Sequence, residues 1–136
     1  MATLTELDDA MKRFLDEPVY ATIAYLRPDG SPYATQIWAD HDGKHVRISI
    51  TETRKKHGSL ARDGRVAMTF ADHTNMFRAA NMRGRVVEMT KDGAEEHIDK
   101  MAQKYLGKDT YPWRQPGEER IMVKILPERI HTQGVK

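Results

Sequence analysis

A basic segment near the middle of the chain has residue types and a position that suit anion binding. Residues 53–62 contain no acid and four cations, which are Arg54, Lys55, Lys56 and Arg62. The segment follows a β-type run at 45–50 and is predicted to open a short helix. A helix dipole disfavours cations at its N-terminus unless an anion, such as a phosphate, binds the free backbone N–H groups there. We therefore predict a site for a phosphorylated ligand at this strand-to-helix junction.

The distribution of charge along the chain supports a localised site. The net charge is +2, yet a second stretch, residues 73–87, also contains cations and no acid. The remainder of the chain is therefore acidic, which favours a localised anion site over non-specific binding of anions across the surface. Nucleic acid is not an expected partner, because the basic residues lack the interleaved aromatics on which bases would stack.

Length and composition restrict the class of protein. The 136 residues suit a single domain, 1–136, with its own core. The chain has no cysteine, which excludes disulfides, thiolate catalysis and cysteine-based zinc sites. No apolar run is long enough to span a bilayer, and the N-terminal residues lack the basic region of a signal peptide. We expect a cytoplasmic protein without a membrane partner.

Hydrophobic periodicity predicts a mainly β domain with flanking helices. Apolar residues from Leu4 to Leu15 fall at helical spacing, and residues 92–106 form the clearest helix, with Asp92 and Glu95 resembling a capping box. Runs rich in β-branched and aromatic residues predict strands, most of them joined by short turns, at 19–26, 31–39, 45–51, 65–71, 76–89, 120–126 and 128–133. Many short strands with few helices predict an antiparallel barrel.

Several single features allow two interpretations. Gly84 predicts a bulge or a close backbone approach within its strand. His41 and His45 lie beside Asp40 and Asp42, but turn chemistry explains this hairpin and no metal site is predicted. The loop at 107–118 contains Tyr-Pro-Trp-Arg at 111–114, which is either a substrate lid or a segment packed by its own aromatics.

The order of four motifs resembles a known family. They are Ala21–Pro32 with its continuation Thr35–Trp38, then Thr53–Leu60, then Asp63–Ala67, and finally Arg120–Ile130. Together they resemble the split-β-barrel flavoenzymes related to pyridoxamine 5′-phosphate oxidase. The resemblance is closer to the actinobacterial branch, group B, that uses the deazaflavin coenzyme F420.

The resemblance implies a fold, an assembly and a set of cofactor contacts. The fold is a six-stranded antiparallel split β-barrel of the FMN-binding type, in the α+β class. The implied assembly is a homodimer with the cofactor at the interface, where Met76, Phe77 and Arg78 come from the partner subunit. The implied contacts within one subunit are Gln36, Trp38, Ser49, Ile50, Thr51, Arg54, Lys55, Lys56 and Ser59. By composition alone, Trp38 and Phe77 are more typical of a barrel core than of cofactor contacts, and the resemblance makes the two roles of Trp38 equal.

The activity implied by this family is reduction of an electron-poor small molecule by hydride transfer. Because such a cofactor carries its own redox chemistry, the chain needs no nucleophile–base pair. The proton donor stays open among Tyr111, His131 and a bound water. Two other functions fit the same residues. One is an FMN-dependent oxidase or reductase, and the other is a non-catalytic cofactor carrier or a haem module with His73 or His131 as axial ligand.

Overall fold

In the part of the chain that the structure describes, eight antiparallel strands form one sheet, which curls into a half-barrel with three helices around it. The computed structural model describes residues 2–52 and 55–136. The strands are β1 (Ala2–Leu4), β2 (Tyr20–Leu26), β3 (Pro32–Ile37), β4 (Ala39–His41), β5 (Val46–Thr51), β6 (Arg65–Ala71), β7 (Ala79–Thr90) and β8 (Arg120–Gln133). The helices are α1 (Asp9–Asp16), α2 (Lys55–Arg62) and α3 (Ala94–Leu106).

The strand order places β3 and β5, which contain several of the predicted cofactor contacts, in the same curled sheet. The order is β3-β2-β6-β7-β8-β5-β4, and β1 pairs with β8. Side chains alternate along β2 and β6, so one face of each strand is buried and the other is accessible. The buried face packs against Met11, Phe14 and Leu15 of α1 in a single core. The predicted split-barrel fold with flanking helices is confirmed.

The bulge predicted at Gly84 is present. The pairing of β7 with β8 shifts register between Arg83 and Gly84, where Gly84 faces Pro127. A Cβ atom on Gly84 would lie 2.7 Å from the carbonyl oxygen of Leu126, closer than side chains tolerate. The shift also lets β8 run unbroken through Pro127, where the sequence predicts two strands, because a bulge tolerates the missing N–H donor.

Two predictions at the helix starts are wrong. Leu4 lies in β1 and not in a helix, because the exposed edge of β8 pairs with this segment. The helix that follows begins at Asp9, and the carboxylate of Asp8 accepts a hydrogen bond from the Met11 N–H at 2.8 Å. The predicted capping box at Asp92 is absent, because Gly93, with φ of 74°, is the N-cap of α3 and makes no side-chain cap.

Two predicted strand limits also change, and both changes affect the site. The strand predicted at 31–39 is interrupted at Trp38, which lies between β3 and β4. The strand predicted from Met76 begins at Ala79, because residues 72–78 form the turn that joins β6 to β7. Among the described helices, none is both long and apolar enough to cross a bilayer.

Candidate functional site

A cleft of about 630 Å³ opens between the β2–β3 hairpin, α3 and the loop that precedes β8. We call it the first cleft. Its lining includes five of the predicted cofactor contacts, namely Gln36, Trp38, Ser49, Ile50 and Lys56. These residues come from β3, the β3–β4 break, β5 and α2, so the fold brings together segments that are distant in sequence. Within the described residues, Thr51 is buried at the end of β5 and does not line this cleft.

A second cleft of about 780 Å³ adjoins the first. Both clefts contain Thr35 and Lys56 in their walls, so they meet at the start of α2, and we call the two clefts together the groove. The second cleft has three cationic side chains in its wall, Arg27, Lys55 and Lys56. Asp29 also lies there, but its carboxylate accepts hydrogen bonds from the Ser31 hydroxyl and N–H, which lower its pKa. The predicted contact Ser59 is buried on the same side.

The start of α2 has the composition expected of an anion site. The helix begins at Lys55, and its first turn contains no acid. Lys55 and Lys56 therefore lie at the positive end of the helix dipole, where an anionic group would be stabilised both by the dipole and by the ammonium groups. Arg54 lies outside the described residues, so its predicted contact stays a prediction.

An aromatic wall forms the other side of the first cleft. The Trp38 ring stacks on Tyr105 of α3 with centroids 5.2 Å apart and planes at 4°. Tyr111 and Trp113 belong to the loop, and their ring centroids lie 6.0 and 6.2 Å from that of Trp38. The loop is held on α3, because Arg114 contacts Glu95 and Asp99 at 2.9 Å each. The aromatics of the loop pack together, as one interpretation predicts, and they also line the cleft, whereas a role as substrate lid stays a prediction.

The last turn of α3 attaches the helix to the backbone of the cleft wall. The Tyr105 hydroxyl donates to the carbonyl oxygen of Val19 at 2.9 Å, and burial raises the pKa of Tyr105 to about 12. Lys104 donates from Nζ to the carbonyl oxygens of Leu15, at 2.8 Å, and Ala39. Burial lowers the pKa of Lys104 to about 8. The sequence shows Tyr105 only as part of an apolar stripe and does not indicate either contact.

A buried ionic cluster behind the cleft fixes α3 on the sheet. Arg47 donates two hydrogen bonds to the carboxylate of Asp40, at 3.0 and 2.8 Å, and Nε2 of His97 lies 2.9 Å from the same carboxylate. Burial opposes the negative charge of Asp40, but the hydrogen bonds from His97 and Arg47 outweigh it and lower the pKa. The carboxylate therefore stays charged and accepts all three bonds.

Arg120 is a cleft residue to which the sequence assigns no role. It begins β8, opposite Thr51, and only 7% of its surface is exposed. Its guanidinium carbon lies 4.7 Å from the Tyr111 ring centroid, and Nη1 lies 3.5 Å from the hydroxyl of Ser49. The available signal in the sequence was an arginine directly before the apolar run 121–123.

The turn that contains Met76, Phe77 and Arg78 lies away from the cleft of its own chain. Of the residues that the structure describes, these three line neither cleft. Arg78 is held in place by Glu17 at 2.7 Å and Asp72 at 2.9 Å, and both carboxylates raise its pKa. Met76 and Phe77 are 72% and 68% exposed. Their role toward a partner subunit stays a prediction.

The candidate proton donors and haem ligands occupy different places. Tyr111 lines the first cleft, whereas His131 is exposed on β8 with Nδ1 3.1 Å from the Thr3 hydroxyl. His73 is exposed in the β6–β7 turn and makes an edge contact with Tyr20, with centroids 6.5 Å apart. His41 contacts Asp16 of α1 at 2.8 Å, and His45 contacts Asp42 of its own hairpin at 3.0 Å.

Comparison with known proteins gives the family. The sequence profile of pyridoxamine 5′-phosphate oxidase matches residues 7–134. The chain belongs to this family. Among solved structures, an F420 reductase is similar with a TM-score of 0.79 and 26% identity, over 93% of this chain and 100% of the other. None of the curated proteins compared matches the sequence.

Other members of the fold are more distant. The conserved hypothetical protein Rv2991 from Mycobacterium tuberculosis has a TM-score of 0.70 and 21% identity, over 95% of this chain and 86% of the other. The FAD and haem binding protein from Mycobacterium smegmatis has a TM-score of 0.66 and 17% identity, over 98% of this chain and 74% of the other. These likenesses support the pyridoxamine 5′-phosphate oxidase-like fold of this chain.

Proposed function

We propose that the protein is an oxidoreductase that uses the deazaflavin coenzyme F420 to reduce an electron-poor small molecule by hydride transfer. The observation that carries the proposal is the pair of adjacent clefts that form the groove, with Lys56 in the wall of both. The similarity to an F420 reductase at 26% identity supports the same conclusion.

The two parts of the groove differ in the chemistry they suit. The first cleft offers aromatic and aliphatic side chains, among them Trp38 and Ile50, to a planar ring. The second offers Arg27, Lys55 and Lys56 to anionic groups. Coenzyme F420 has a ring, a phosphodiester and an anionic glutamate tail, so it would use both parts. FMN, with only a terminal phosphate, would leave much of the second cleft without a ligand.

The chain itself supplies binding, orientation and exclusion of water. The coenzyme, when bound, supplies the hydride chemistry. Lys56 and the start of α2 would hold its phosphate, and the Trp38 wall would restrict solvent on one side of the ring. Tyr111, with its side chain in the cleft, is the best-placed of the three proton-donor candidates. Hydride transfer needs close approach in a dry pocket, and the buried strand β5 provides such a floor.

A homodimer is part of the proposal. Two large apolar side chains, Met76 and Phe77, are exposed at the tip of a turn that salt bridges hold in one conformation. Isolated exposed apolar residues are common, but two adjacent ones on a rigid tip suit an interface. In a second copy of the chain they would cover the open side of the groove.

The decisive test is a pair of titrations of the apoprotein with F420 and with FMN, followed by cofactor fluorescence. We expect tighter binding of F420. Lys56→Ala should weaken that binding by about 1.5–3 kcal/mol, the value of one charge-assisted hydrogen bond. Lys44→Ala, which removes an exposed lysine outside both clefts, is the matched control.

The other outcomes of this titration are equally informative. Preference for FMN would reject the deazaflavin and place the protein among FMN-dependent enzymes. Tight binding of F420 in the titration, together with a separate turnover assay in which no acceptor is reduced, would indicate a carrier. Equal affinities of wild type and Lys56→Ala would reject the phosphate site at α2.

A further inference from the structure

The first cleft contains two cations, and the proposed cofactor accounts for one of them. Among its described lining residues, Lys56 and Arg120 are the charged ones. Lys56 lies at the start of α2, on the phosphate side. Arg120 lies at the start of β8, beside the aromatic wall. A buried guanidinium in a cleft requires a counter-charge, so its surroundings indicate what the cleft accepts.

The carboxylate of Glu118 forms a salt bridge with Arg120, and both side chains are largely buried, with 13% and 7% of their surfaces exposed. Nε and Nη2 of Arg120 both lie 3.3 Å from the carboxylate oxygens of Glu118. Good charge-assisted bonds of this type are shorter, at roughly 2.7–2.9 Å. The third nitrogen, Nη1, has a 3.5 Å contact with the neutral hydroxyl of Ser49. Since a guanidinium has five N–H donors in a planar fork, Arg120 retains donors for a further acceptor.

The surroundings of Arg120 suit a planar ligand. Tyr111 covers one face of the guanidinium at 4.7 Å and makes edge contacts with Trp38 and Trp113 at 6.0 and 5.8 Å. Trp113 is 55% exposed, so it lies at the mouth of the cleft and not in the core. Flat side chains next to a cationic fork provide stacking for a conjugated body and a bidentate partner for a carboxylate.

We propose that Arg120 selects the acceptor by binding its carboxylate, so that the substrate class is planar unsaturated carboxylates. This inference rests on the proposed function, because it assigns the Lys56 side of the groove to the cofactor. The Arg120 fork binds the acid group, and the side chains of Trp38, Tyr111 and Trp113 contact the conjugated part. Glu118 competes with the substrate carboxylate for the same guanidinium and so sets the affinity.

The test uses trans-cinnamate and its neutral methyl ester as probes of the full-length apoprotein. Both tryptophans of the chain, Trp38 and Trp113, line the cleft, so their fluorescence reports binding without cofactor or turnover. We expect cinnamate to bind at least tenfold more tightly than the ester. Arg120→Met should weaken the binding of cinnamate by roughly tenfold to a hundredfold and leave the affinity for the ester unchanged. Arg13→Met, which removes an exposed arginine of α1, should change neither.

A second variant separates substrate binding from a purely structural salt bridge. Glu118→Gln removes the competing charge, so cinnamate should bind several-fold more tightly while the ester does not change. A structural pair would give no such gain. Arg120→Lys should keep part of the acid preference, and it replaces Arg120→Met if that variant does not fold by circular dichroism.

Equal binding of acid and ester by the wild type would overturn the inference, as would an acid preference that survives in Arg120→Met. An F420 titration of the same variants separates this result from the proposed function. If Arg120→Met loses F420 affinity but keeps its preference for cinnamate, the guanidinium contacts the cofactor, and the inference is rejected. If the wild type binds no F420, the proposed function fails, and the probe titrations still decide the role of Arg120.

Discussion

The phenolic hydroxyl of Tyr105 donates a hydrogen bond to the backbone carbonyl oxygen of Val19 at 2.9 Å. The bond joins the last turn of α3 to the residue before β2, and the ring of the same tyrosine supports Trp38. One side chain therefore fixes both the position of a helix and the orientation of the aromatic wall.

Removing that hydroxyl should destabilise the fold and leave the stacking intact. Tyr105→Phe leaves the Val19 carbonyl without this donor, so we expect a loss of about 1–3 kcal/mol in the free energy of unfolding. Urea denaturation measures it. Tyr20→Phe removes an exposed tyrosine hydroxyl and should cost less than about 0.5 kcal/mol. Equal losses in the two variants would show that the Val19 bond contributes nothing.

The bulge in β7 should not tolerate a side chain. Gly84→Ala would place Cβ 2.7 Å from the Leu126 carbonyl oxygen and 2.9 Å from a methyl of Ile125. We expect a loss of about 1–3 kcal/mol from overpacking, measured by chemical denaturation. Gly58→Ala is the matched control, because its Cβ would meet no atom within 4 Å. Since Gly58 lies in α2, that variant should be neutral or gain up to about 1 kcal/mol.

The stability of the protein should rise with pH on the alkaline side. Burial lowers the pKa of Lys104 from 10.5 to about 8. Between these values the unfolded chain holds a proton at this residue that the folded chain has released, so the free energy of unfolding increases with pH across that window. Below about pH 8 both states are protonated, and the cost of burying the charge is fully present.

Comparison of two lysine variants isolates this effect. Lys104→Met should lose the rise between about pH 8 and 10, as followed by urea midpoints at several pH values. Lys108→Met, which removes an exposed lysine just after α3, should keep it. Parallel pH profiles for the wild type and Lys104→Met would contradict the pKa assignment.

The exposed turn tip should control assembly. Replacement of both Met76 and Phe77 by serine should shift the protein from dimer to monomer in sedimentation experiments and weaken F420 binding. Because both side chains are exposed, the stability of the monomer should change by less than about 0.5 kcal/mol. Val87→Ser changes another exposed apolar residue and should leave assembly unaffected. Persistence of a dimer in the double variant would remove this turn from the interface.

Local sequence patterns were sufficient for most of the strands and for the bulge. The alternation of buried and accessible residues in β2 follows directly from its sequence, and Gly84 marks the bulge because no side chain fits there. The basic start of α2 was also visible, because the charges are adjacent in the chain. Each of these features depends on neighbours within one or two elements.

Features that depend on distant partners were not visible. Leu4 keeps helical spacing with later apolar residues, yet pairing with Ile130 places it in a strand. Lys104 has the sequence context of a surface lysine, and only the carbonyl groups of Leu15 and Ala39 explain its burial. Arg120 likewise acquires its surroundings from Ser49 and Tyr111, which lie on other elements.

The loop between α3 and β8 makes the groove separable into two parts that can change independently. It contributes Tyr111 and Trp113 to one wall, and Arg114 fastens it to α3 through Glu95 and Asp99. None of its residues lines the second cleft, which contains Lys55 and Lys56 at the start of α2. Under the proposed function, an exchange of this loop should therefore change the acceptor while the cofactor side is kept, which offers a practical route to redesign.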